Sequence, residues 1–572
     1  MSKKKVSDII IETLEAAGVK HCYGIVGDTL NHITDSISRS QIKWVHMRHE
    51  EVGAFAAGGE AYITGNLTAC AGSCGPGSLH FINGLYESHR NRAPVILIAS
   101  QVATAEMGID FPQNVDFMPI FKNCSVYCET LINPSQARRM TTLAAQTALT
   151  QRGVSVLIVP GDISAVEVED SPGFHVHLPS PMIQPNEIEL EKIADILNNS
   201  RKVAVYAGFG CDGAHDELIA LCAALQAPMA HTSRAKDFVE YDNPYNVGMT
   251  GIFGASSGYK AVLECETLLL LGADFAWQQF YPSHARIIQI DIDATHLGRR
   301  HPIELGVVGD VKATLKALLQ RLRPHADQSF LNECKHELER VNQHRAHEER
   351  EGKDGVIHPQ QLAMLIDRHA QHDAIFTADG GSPMVWLLRH VHTNGQRRTL
   401  LSLLHGTMAN AMPQALGIKK ALPDRQVISF SGDGGLTMLL GDMITAIQEN
   451  IAIKIVVFNN GTLGFVELEQ KVEGLLDAYT ELKNPNFAKL AEVMGYYSDR
   501  VDHSDDLEEA VKAFLAHPGP ALLDVTTNRM ELVMPPKIEP AYVYSTALSS
   551  MKAIAHGRSG EVIELLKNNF LK

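Results

Sequence analysis

Eleven short apolar runs, spread along the whole chain and separated by helical patterns, constrain the fold more than any other feature of the sequence. They are four to six residues long and rich in β-branched side chains, which is typical of strands buried on both faces of a parallel sheet. Their alternation with helices predicts repeated βαβ units and therefore an α/β protein. The predicted strands are residues 22–26, 67–71, 95–99, 154–159, 203–207, 267–271, 287–290, 374–377, 427–430, 453–458 and 521–525.

Two shifts in composition divide the 572-residue chain into blocks. The first is a proline-rich stretch at residues 179–185, and the second is a charged, glycine-poor run from residue 321 to about residue 353. Each block is long enough to bury a core of its own. We therefore predict three α/β domains with parallel sheets flanked by helices, followed by a C-terminal tail, with boundaries at residues 1–182, 183–334, 335–530 and 531–572.

Charge and cysteine usage exclude several classes of protein. The net charge of −16 argues against nucleic acid as the main ligand. Nine cysteines without a CxxC pair indicate reduced thiols in a cytosolic protein rather than disulfides or a zinc site. No run of about 18 apolar residues occurs, so no membrane-spanning helix is predicted. We expect a soluble protein that at most lies on a membrane surface.

The strongest chemical signal is the motif Gly432-Asp433-Gly434, followed 27 residues after the Asp by Asn460. Both polar residues come directly after predicted strands, and the ends of parallel strands are where open sheets bind ligands. The glycines allow the backbone to approach a diphosphate. Carboxylate and amide oxygens are hard ligands suited to Mg²⁺. A single GDG is a weak signal, but a second polar strand end at this spacing makes it specific.

With this motif the sequence resembles the thiamine-diphosphate (ThDP) enzymes of the pyruvate oxidase and acetohydroxyacid synthase type. Further segments match the family in the same order along the chain. They are His49-Glu50, which opens a helical run, the glycine-rich turn at residues 72–77, and Gly406-Thr407-Met408. The resemblance extends over the whole chain and implies two ThDP-binding domains, one for the pyrimidine and one for the diphosphate, with a flavin-binding domain between them.

The resemblance also implies the residues that hold ThDP and its metal. Met408 would support the bent cofactor through its unbranched, polarizable side chain. The implied Mg²⁺ ligands are Asp433, Asn460 and the backbone carbonyl of Thr462. The implied ThDP contacts are Glu50, Gly406, Thr407, Met408, Asp433, Gly434, Gly435, Asn460, Gly461, Thr462, Leu463, Gly464 and Phe465.

Four residues carry implied catalytic roles. Glu50 would hydrogen-bond N1′ of the aminopyrimidine and favour its imino tautomer, which is the base that activates the cofactor. Phe465 would line the pyruvate site, with Gln113 and Glu469 as further polar contacts. A packed core residue remains an equally weighted alternative for Phe465.

The middle block carries segments similar to the family's flavin site. The implied FAD contacts are Gly251, Ile252, Phe253, Gly254, Asp274, Phe275, Ala276, Trp277, Gln278, Asp291 and Ile292. For Phe275 and Trp277, ordinary domain packing remains an alternative. A GxGxxG pattern at residues 208–213 follows a predicted strand, but no acid stands about 20 residues further on to hold a ribose, so NAD is not assigned.

Two segments depart from the family pattern. Gln113 is flanked by Pro112 and Asn114, where the family usually has Phe and Glu. Gly380 stands where relatives tend to carry Val beside the thiazolium. Both changes are expected to loosen the pocket and to relax a strict preference for pyruvate, without altering the core chemistry.

The activity implied by the resemblance is oxidative decarboxylation of pyruvate to acetate and CO₂, with electrons passed through FAD to ubiquinone. Three alternatives remain open: a phosphate- and O₂-dependent pyruvate oxidase making acetyl phosphate, an acetohydroxyacid synthase, and a silent flavin-binding scaffold. Against the synthase, no tryptophan lies near Phe465; against the scaffold, Glu50, Asp433 and Asn460 are all present. The resemblance further implies a homo-oligomer, usually a tetramer, because the cofactor lies between subunits.

The C-terminal tail is basic although the protein is acidic. Residues 550–572 combine Lys552, Arg558, Lys567 and Lys572 with apolar residues at helical spacing. Such a segment suits the surface of an anionic bilayer, and a helix docked on the enzyme's own core is the alternative. The resemblance implies a tail that shields the active site at rest and binds membrane phospholipid on activation. The protein would then be cytoplasmic, and peripheral on the cytoplasmic face of the bacterial inner membrane when active.

Overall fold

The computed structural model describes residues 3–348, 355–529, 531, 548–550, 552, 553 and 562. Within these residues lie three separate six-stranded sheets and a small two-stranded antiparallel ribbon. Every strand pair within the three large sheets is parallel, and helices cover the sheet faces. The α/β class and the three parallel sheets predicted from the sequence are confirmed.

The first sheet has the strand order β3-β2-β4-β5-β7-β6, while β1 and β8 pair to form the small ribbon. Its core strands carry apolar side chains on both faces, and helices on each side bury them. Its elements are β1 (Lys3–Lys5), α1 (Val6–Ala16), β2 (His21–Gly24), α2 (Asn31–Ser38), β3 (Lys43–His46), α3 (Glu50–Thr64), β4 (Thr68–Gly72), α4 (Pro76–Leu79), α5 (Ile82–Arg90), β5 (Val95–Gln101), α6 (Phe117–Phe121), β6 (Tyr127–Thr130), α7 (Ala137–Gln151), β7 (Val154–Pro160), α8 (Gly161–Ala165) and β8 (Glu167–Glu169).

The middle sheet has the order β11-β10-β9-β12-β13-β14, which is the doubly wound arrangement whose order reverses beside its first strand. Its elements are α9 (Glu187–Asn198), β9 (Val203–Ala207), α10 (His215–Leu225), β10 (Met229–His231), α11 (Lys236–Val239), β11 (Asn246–Met249), α12 (Ser256–Glu264), β12 (Thr267–Leu271), β13 (Arg286–Asp291), β14 (Leu305–Val308), α13 (Val311–Leu319) and α14 (Ser329–Glu348). The predicted boundary at residue 334 falls inside α14, whose first residues pack into the core of this sheet.

The third sheet has the order β16-β15-β17-β18-β20-β19. Its elements are α15 (Pro359–His369), β15 (Ile375–Ala378), α16 (Ser382–His390), β16 (Arg398–Leu401), α17 (Ala411–Ala421), β17 (Val427–Gly432), α18 (Asp433–Met438), α19 (Met443–Gln448), β18 (Lys454–Asn459), α20 (Gly464–Val472), α21 (Phe487–Met494), β19 (Tyr497–Val501), α22 (Ser504–Ala516) and β20 (Ala521–Thr526).

All eleven predicted strands are present, with bounds shifted by at most two residues at either end. The strands of the large sheets that the sequence did not predict are β3, β6, β10, β11, β14, β16 and β19, and they include both edges of every large sheet; β1 and β8 of the small ribbon were not predicted either. Edge strands are partly exposed, as the burial of β6 and β19 shows, so they lack the continuous apolar run that marks a central strand.

The first and third domains pack against each other through α3 and α17. The two helix backbones approach so closely that a Cβ at Gly417 would lie 1.9 Å from the carbonyl oxygen of Ala56. A Cβ at Gly59 would lie 2.7 Å from the carbonyl oxygen of Gln414. Only glycine permits such an approach, so these two positions fix the distance between the two domains.

All nine cysteines lie in the described part of the chain and are free thiols, as predicted. In that same part of the chain, no helix combines the length and the hydropathy needed to cross a membrane.

Candidate active site

The carboxyl ends of β17 and β18 bring the predicted metal ligands together. The two strands are adjacent and parallel, with Gly432 opposite Phe458, so Asp433 follows one strand beside the turn that Asn460 begins. Asp433 Oδ2 accepts hydrogen bonds from the Gly461 N–H at 2.8 Å and from Asn484 Nδ2 at 2.7 Å. Asn460 Oδ1 accepts from the Thr462 N–H at 3.1 Å, which fixes the turn that carries the Thr462 carbonyl.

Asp433 is buried and has no cationic partner among the described residues. Its burial raises the pKa of its carboxyl group, although hydrogen bonds from Gly434, Gly461 and Asn484 oppose the shift. A buried carboxylate held only by neutral N–H donors lacks a counter-ion. Together with an amide oxygen and a backbone carbonyl it forms an all-oxygen donor set, which fits Mg²⁺.

Gly434 of the motif allows other side chains to pack closely against the turn, because a side chain at this position would clash with them. A Cβ at Gly434 would lie 2.8 Å from Leu463 Cδ2 and 3.2 Å from Met408 Cε. The Gly406-Thr407-Met408 segment therefore reaches the GDG turn, as the sequence prediction requires. This arrangement fits a cofactor whose diphosphate lies along the backbone and whose rings rest on Met408.

Sequence reasoning missed the residues that support this turn. Asn484 donates to Asn459 Oδ1 at 3.0 Å as well as to Asp433, and Asn459 donates to Asp524 at 2.9 Å. Asp379 accepts hydrogen bonds from the N–H groups of Ala411 and Gly432, and burial raises its pKa to about 7. These supports lie far apart in sequence. The one available signal was Asp379, an acid that follows a strand and precedes two glycines.

Glu50 begins α3 in the first domain, with His49 as its N-cap. His49 Nδ1 accepts from the Glu51 N–H at 3.2 Å, and acidic residues are favourable in the first turn of a helix. The buried Glu50 carboxyl lies 2.9 Å from His80 Nδ1, and the His80 ring stacks on His49. Within the described residues, its hydrogen bonding is to His80 and not to the Asp433 turn.

Helix α20 carries Phe465 beside a small cleft with both polar and apolar lining residues. Glu467, on the same helix, is buried and accepts from Thr462 Oγ1 at 2.7 Å, from Lys471 and from Arg529. Those hydrogen bonds and charges lower the pKa of Glu467 against the opposing effect of burial. Glu469, the predicted contact, is exposed on this helix. The cleft is lined by Ser382, Gly464, Phe465, Glu467, Leu468, Lys471, Arg529 and Glu531.

Gln113 rests on the glycine-rich turn of the first domain. Its backbone is left-handed, with φ at +65°, and Cys74 Sγ lies 3.3 Å from its Oε1. A Cβ at Gly75 would come within 2.9 Å of Gln113 Cβ. The predicted polar contact is therefore held against residues 72–77, while Pro112 and Asn114 are its neighbours in an exposed loop.

Gly380 does not open space in the pocket. A Cβ at this position would lie 2.3 Å from the carbonyl oxygen of Thr407, and the Gly380 N–H donates to that oxygen at 3.1 Å. The backbone at Thr407 occupies the volume that a side chain at residue 380 would need. The expectation that Gly380 loosens the pocket is therefore not supported at the Cβ position.

The predicted flavin segments lie at loops of the middle domain, and one of them reaches α20. The Phe253 ring packs edge-on against Phe465, with centroids 6.1 Å apart, and the Phe253 carbonyl accepts from Arg389 Nε at 3.0 Å. Gly251 has a φ of +103°, and the remaining residues of the segment are Ile252 and Gly254. The second segment, Asp274, Phe275, Ala276, Trp277 and Gln278, follows β12.

Several polar atoms near these segments fit a bound flavin. Thr250 Oγ1 and Ser257 Oγ are buried and have no hydrogen-bond partner within the part of the chain that the structure describes. At the end of β13, Asp291 Oδ1 accepts from the Asp293 N–H and interacts with His296, while no described hydrogen bond reaches its Oδ2. Ile292 and Trp277 are half-exposed. Unpartnered polar atoms beside exposed apolar side chains suit a ligand with rings and hydroxyl groups.

Most of the predicted tail lies outside the described residues, including Arg558, Lys567 and Lys572. Its first residues are tied to the third domain, because Glu531 accepts from Gln360 Nε2 at 2.7 Å and lies 2.8 Å from His358 Nδ1. Further along, Lys552 Nζ donates to the Gly474 carbonyl at 2.7 Å, just beyond α20.

Comparison with protein families gives three matches in chain order. The N-terminal thiamine pyrophosphate binding domain matches residues 4–120, the central domain of these enzymes matches residues 190–318, and the C-terminal thiamine pyrophosphate binding domain matches residues 379–525. Together the matches cover more than half of the chain, and each contains strands of a different sheet.

Curated proteins are similar over nearly the whole length. A putative thiamine pyrophosphate-containing protein, YdaP, of Bacillus subtilis is 32% identical over 94% of both chains. A pyruvate oxidase of Lactiplantibacillus plantarum is 29% identical over 90% of this chain and 87% of its own. The large subunit of acetolactate synthase isozyme 2 of Escherichia coli is 28% identical over 92% of this chain and 96% of its own.

Proposed function

Because the chain belongs to the thiamine pyrophosphate enzymes, in the group of pyruvate oxidases and acetolactate synthases, we propose that it oxidatively decarboxylates pyruvate to acetate and CO₂. FAD and Mg²⁺ are the proposed further cofactors, and ubiquinone is the proposed electron acceptor.

The contact between Phe253 and Phe465 carries the choice of an oxidase. Phe465 lines the cleft beside the Asp433 turn, and Phe253 belongs to the predicted flavin segment. A direct contact between these two segments brings the proposed site of substrate chemistry next to the proposed electron acceptor. Arg389 of the third domain fixes the Phe253 backbone, so the contact is held from both sides.

The side chains divide the remaining work. Bound ThDP supplies a carbanion-stabilising thiazolium. Asp433, Asn460 and the Thr462 carbonyl would hold Mg²⁺, and Met408 would support the ring system. Glu50 holds a carboxyl group in a buried position beside His80, where it can exchange a hydrogen bond with a ring nitrogen. Phe465 and Leu468 contribute apolar side chains to the lining of the cleft.

A flavin spectrum tests the proposal. Protein supplied with ThDP, Mg²⁺ and FAD should lose its yellow colour when pyruvate is added under anaerobic conditions, and acetate and CO₂ should form in equal amounts. Matched samples without ThDP are the control. A flavin that stays oxidised while acetolactate accumulates would instead assign the synthase activity named in the relative from Escherichia coli.

The electron acceptor separates the remaining alternatives. Turnover with a ubiquinone analogue that is independent of phosphate supports the quinone-dependent reaction. Turnover that needs O₂ and phosphate and yields acetyl phosphate would assign the other oxidase. A protein that binds FAD but releases no CO₂ would be a silent scaffold.

Assembly and location form the last part of the proposal. Glu50 and the Asp433 turn belong to different domains and have separate hydrogen-bond partners in one chain, which supports a site completed by a second subunit, in a dimer or tetramer. The basic tail would bind membrane phospholipid and place a cytoplasmic enzyme at its quinone. Sedimentation with anionic vesicles, with and without pyruvate, tests this part.

A further inference from the structure

The turn that leads into Glu50 is held by a carboxylate of the third domain of the same chain. Between β3 and α3, the Arg48 N–H donates to Asp442 Oδ1 at 2.8 Å, and the His49 N–H also donates to this carboxylate. Asp442 is 1% exposed, and its Oδ1 accepts a further hydrogen bond from Thr445 Oγ1 at 2.7 Å. One buried carboxylate therefore fixes the two residues that come directly before Glu50.

Asp442 does not have the hydrogen bonds that its place in the sequence suggests. It comes directly before α19, where an aspartate normally accepts from the first N–H groups of the helix that it begins. In the described part of the chain its carboxylate makes no such bond. Burial raises the pKa of the Asp442 carboxyl group, and the hydrogen bonds from Arg48 and Thr445 oppose that shift. The carboxylate is therefore directed at the segment before Glu50 instead of at the N–H groups of its own helix.

Two further side chains at the end of α19 hold the same segment. Glu449 Oε1 accepts from the His46 N–H at 3.2 Å. The Arg48 side chain donates to Gln448 Oε1 through its Nη2. With the bond to Asp442, the segment before Glu50 is attached at several points to one short stretch of the third domain.

The attachment reaches the Glu50 side chain through His49. His49 caps α3, because its Nδ1 accepts from the Glu51 N–H, and its ring stacks on His80 with centroids 4.7 Å apart. His80 Nδ1 in turn lies 2.9 Å from Glu50 Oε2. A shift of the His49 backbone would therefore move both the first turn of α3 and the ring that rests against the hydrogen-bond partner of Glu50.

We propose that Asp442 is a positioning residue for Glu50, and that it orients the Glu50 carboxyl by holding the N–H groups of Arg48 and His49 across the interface between the third and first domains. This inference rests on the proposed role of Glu50 in activating ThDP and adds a residue to that site. A functional group is effective only when it is held within about 0.5 Å of its productive position. Misplacement by about 1 Å costs a reaction ~10²-fold.

A double-variant cycle tests whether Asp442 acts through Glu50. The rate of hydrogen–deuterium exchange at C2 of bound ThDP is measured in the wild type, Asp442→Ala, Glu50→Gln and the double variant. Asp442→Ala should slow this exchange at least ~10-fold while the calorimetric affinity for ThDP and Mg²⁺ stays within ~3-fold, because orientation is lost and binding is not. In the Glu50→Gln background the same change should alter the rate less than ~2-fold. Equal slowing in both backgrounds would overturn the proposal.

Amide hydrogen exchange of the cofactor-free, full-length protein supplies a measurement that does not depend on activity. The peptide that contains Arg48 and His49 should exchange at least ~10-fold faster in Asp442→Ala, because its N–H groups lose their acceptor. Asp442→Asn retains one acceptor oxygen, so it should show smaller changes of both kinds, and it carries the test if the alanine variant does not fold. Unchanged protection of this peptide in the alanine variant would overturn the proposal.

Asp237 of the middle domain offers a matched control. It is also a buried carboxylate that bridges two domains, since it accepts from the Thr399 N–H at 2.6 Å and from Thr399 Oγ1 at 2.8 Å. Asp237→Ala removes an equivalent pair of hydrogen bonds and should leave C2 exchange and the protection of Arg48 unchanged. If it slows C2 exchange as much as Asp442→Ala does, general loosening of the domain interfaces explains the effect and the proposal is wrong.

This proposal and the proposed function fail separately. If Glu50→Gln slows C2 exchange and pyruvate yields acetate, but Asp442→Ala exchanges as the wild type does, the positioning role is wrong and the function stands. If the cycle gives the expected result but the wild type forms no acetate from pyruvate, the positioning role stands and the proposed oxidation is wrong.

Discussion

The first and third sheets have the same topology but carry different chemistry. Both place their six strands in the order second, first, third, fourth, sixth, fifth, and both end their third strand in glycine, at Gly72 and at Gly432. The next residue is Ser73 in the first domain and Asp433 in the third. Ser73 Oγ donates weakly to Asp28 at 3.4 Å, whereas Asp433 is buried and contacts no cationic side chain among the residues that the structure describes.

The segments that follow the second strand in chain order, β3 in the first domain and β16 in the third, also differ. In the first domain β3 leads directly into α3, which begins with Glu50, and in the third domain β16 leads into the Gly406-Thr407-Met408 segment before α17. The edge of the first sheet therefore presents the Glu50 carboxyl group at a helix start. The edge of the third sheet presents the Asp433 turn, whose oxygen atoms suit a metal ion, and the apolar side chain of Met408. The shared topology supplies two equivalent edges, and a few strand-end residues decide what each edge binds.

The largest expected effect comes from removing the acid that distinguishes the third sheet. Asp433→Ala should abolish Mg²⁺-dependent ThDP binding, because it removes the charged ligand of the proposed ion. Calorimetric titration with ThDP and Mg²⁺ measures this. Ser73→Ala, the matched change in the first domain, should leave the Mg²⁺ requirement unchanged. Equal losses in the two variants would contradict the difference between the sheets.

A second substitution tests the carboxyl group of the first domain. Glu50→Gln should retain ThDP binding but slow cofactor activation by at least ~10²-fold, the scale of a lost general acid–base group. Hydrogen–deuterium exchange at C2 of bound ThDP reports this step. Glu51→Gln, which alters only the hydrogen bond to Asn83, serves as the control. Exchange at the wild-type rate in the Glu50 variant would remove its catalytic role.

The interface between the first and third domains contains a buried acid, Glu87, whose contribution to the free energy of unfolding depends on pH. Glu87 of α5 accepts from Ser402 Oγ at 2.7 Å and from Asn91, and burial raises its pKa to about 7 against those hydrogen bonds. The folded state favours the protonated carboxyl of Glu87. The stability that this protonated form gives to the folded protein is therefore complete below the pKa of Glu87 in the unfolded chain, and it is lost as the pH rises through about 7. The loss amounts to about 3 kcal/mol.

Glu87→Gln isolates this contribution, since glutamine stays neutral. The free energy of unfolding of the wild type should fall relative to the variant between about pH 5 and pH 8. Chemical denaturation across this range measures the difference. A gap between the two proteins that stays constant with pH would show that Glu87 is ionised throughout.

The smallest expected effect concerns a glycine specific to the third sheet. Gly380→Ala should cost about 1–3 kcal/mol, because the new Cβ would lie 2.3 Å from the Thr407 carbonyl and the cofactor segment would have to move. Gly441→Ala, in open space, should change stability by less than about 0.5 kcal/mol. Thermal unfolding with and without ThDP compares them, and a neutral Gly380 variant would mean that the Thr407 segment adjusts freely.

The apolar runs in the sequence predicted most central strands of each large sheet but none of the edge strands. A strand such as β12 is apolar on both faces because two helical layers cover it, and this environment leaves a continuous run in the sequence. At the edges, β3 and β19 keep polar residues on an exposed face and resemble loops. Short length hid β10, which has only three residues although all are buried.

For the site, local motifs were readable and their supports were not. Asp433 and Asn460 stand beside glycines at strand ends, so their spacing carried information. Asn484 and Asp524 reach the same turn from elements that follow it by many residues, and no pattern relates them to it. The choice between Glu467 and Glu469 depends on which face of α20 is buried, which the family motif alone does not state.

The glycine contact between α3 and α17 also has a consequence for how the chain is made. About 350 residues separate the two helices, so a ribosome adding ~5–20 residues per second completes α3 tens of seconds before its partner emerges. During that interval the small-residue face of α3 has nothing to pack against. A chain that ends before residue 411 should leave this face uncovered, and it is therefore expected to aggregate more readily than the full-length protein.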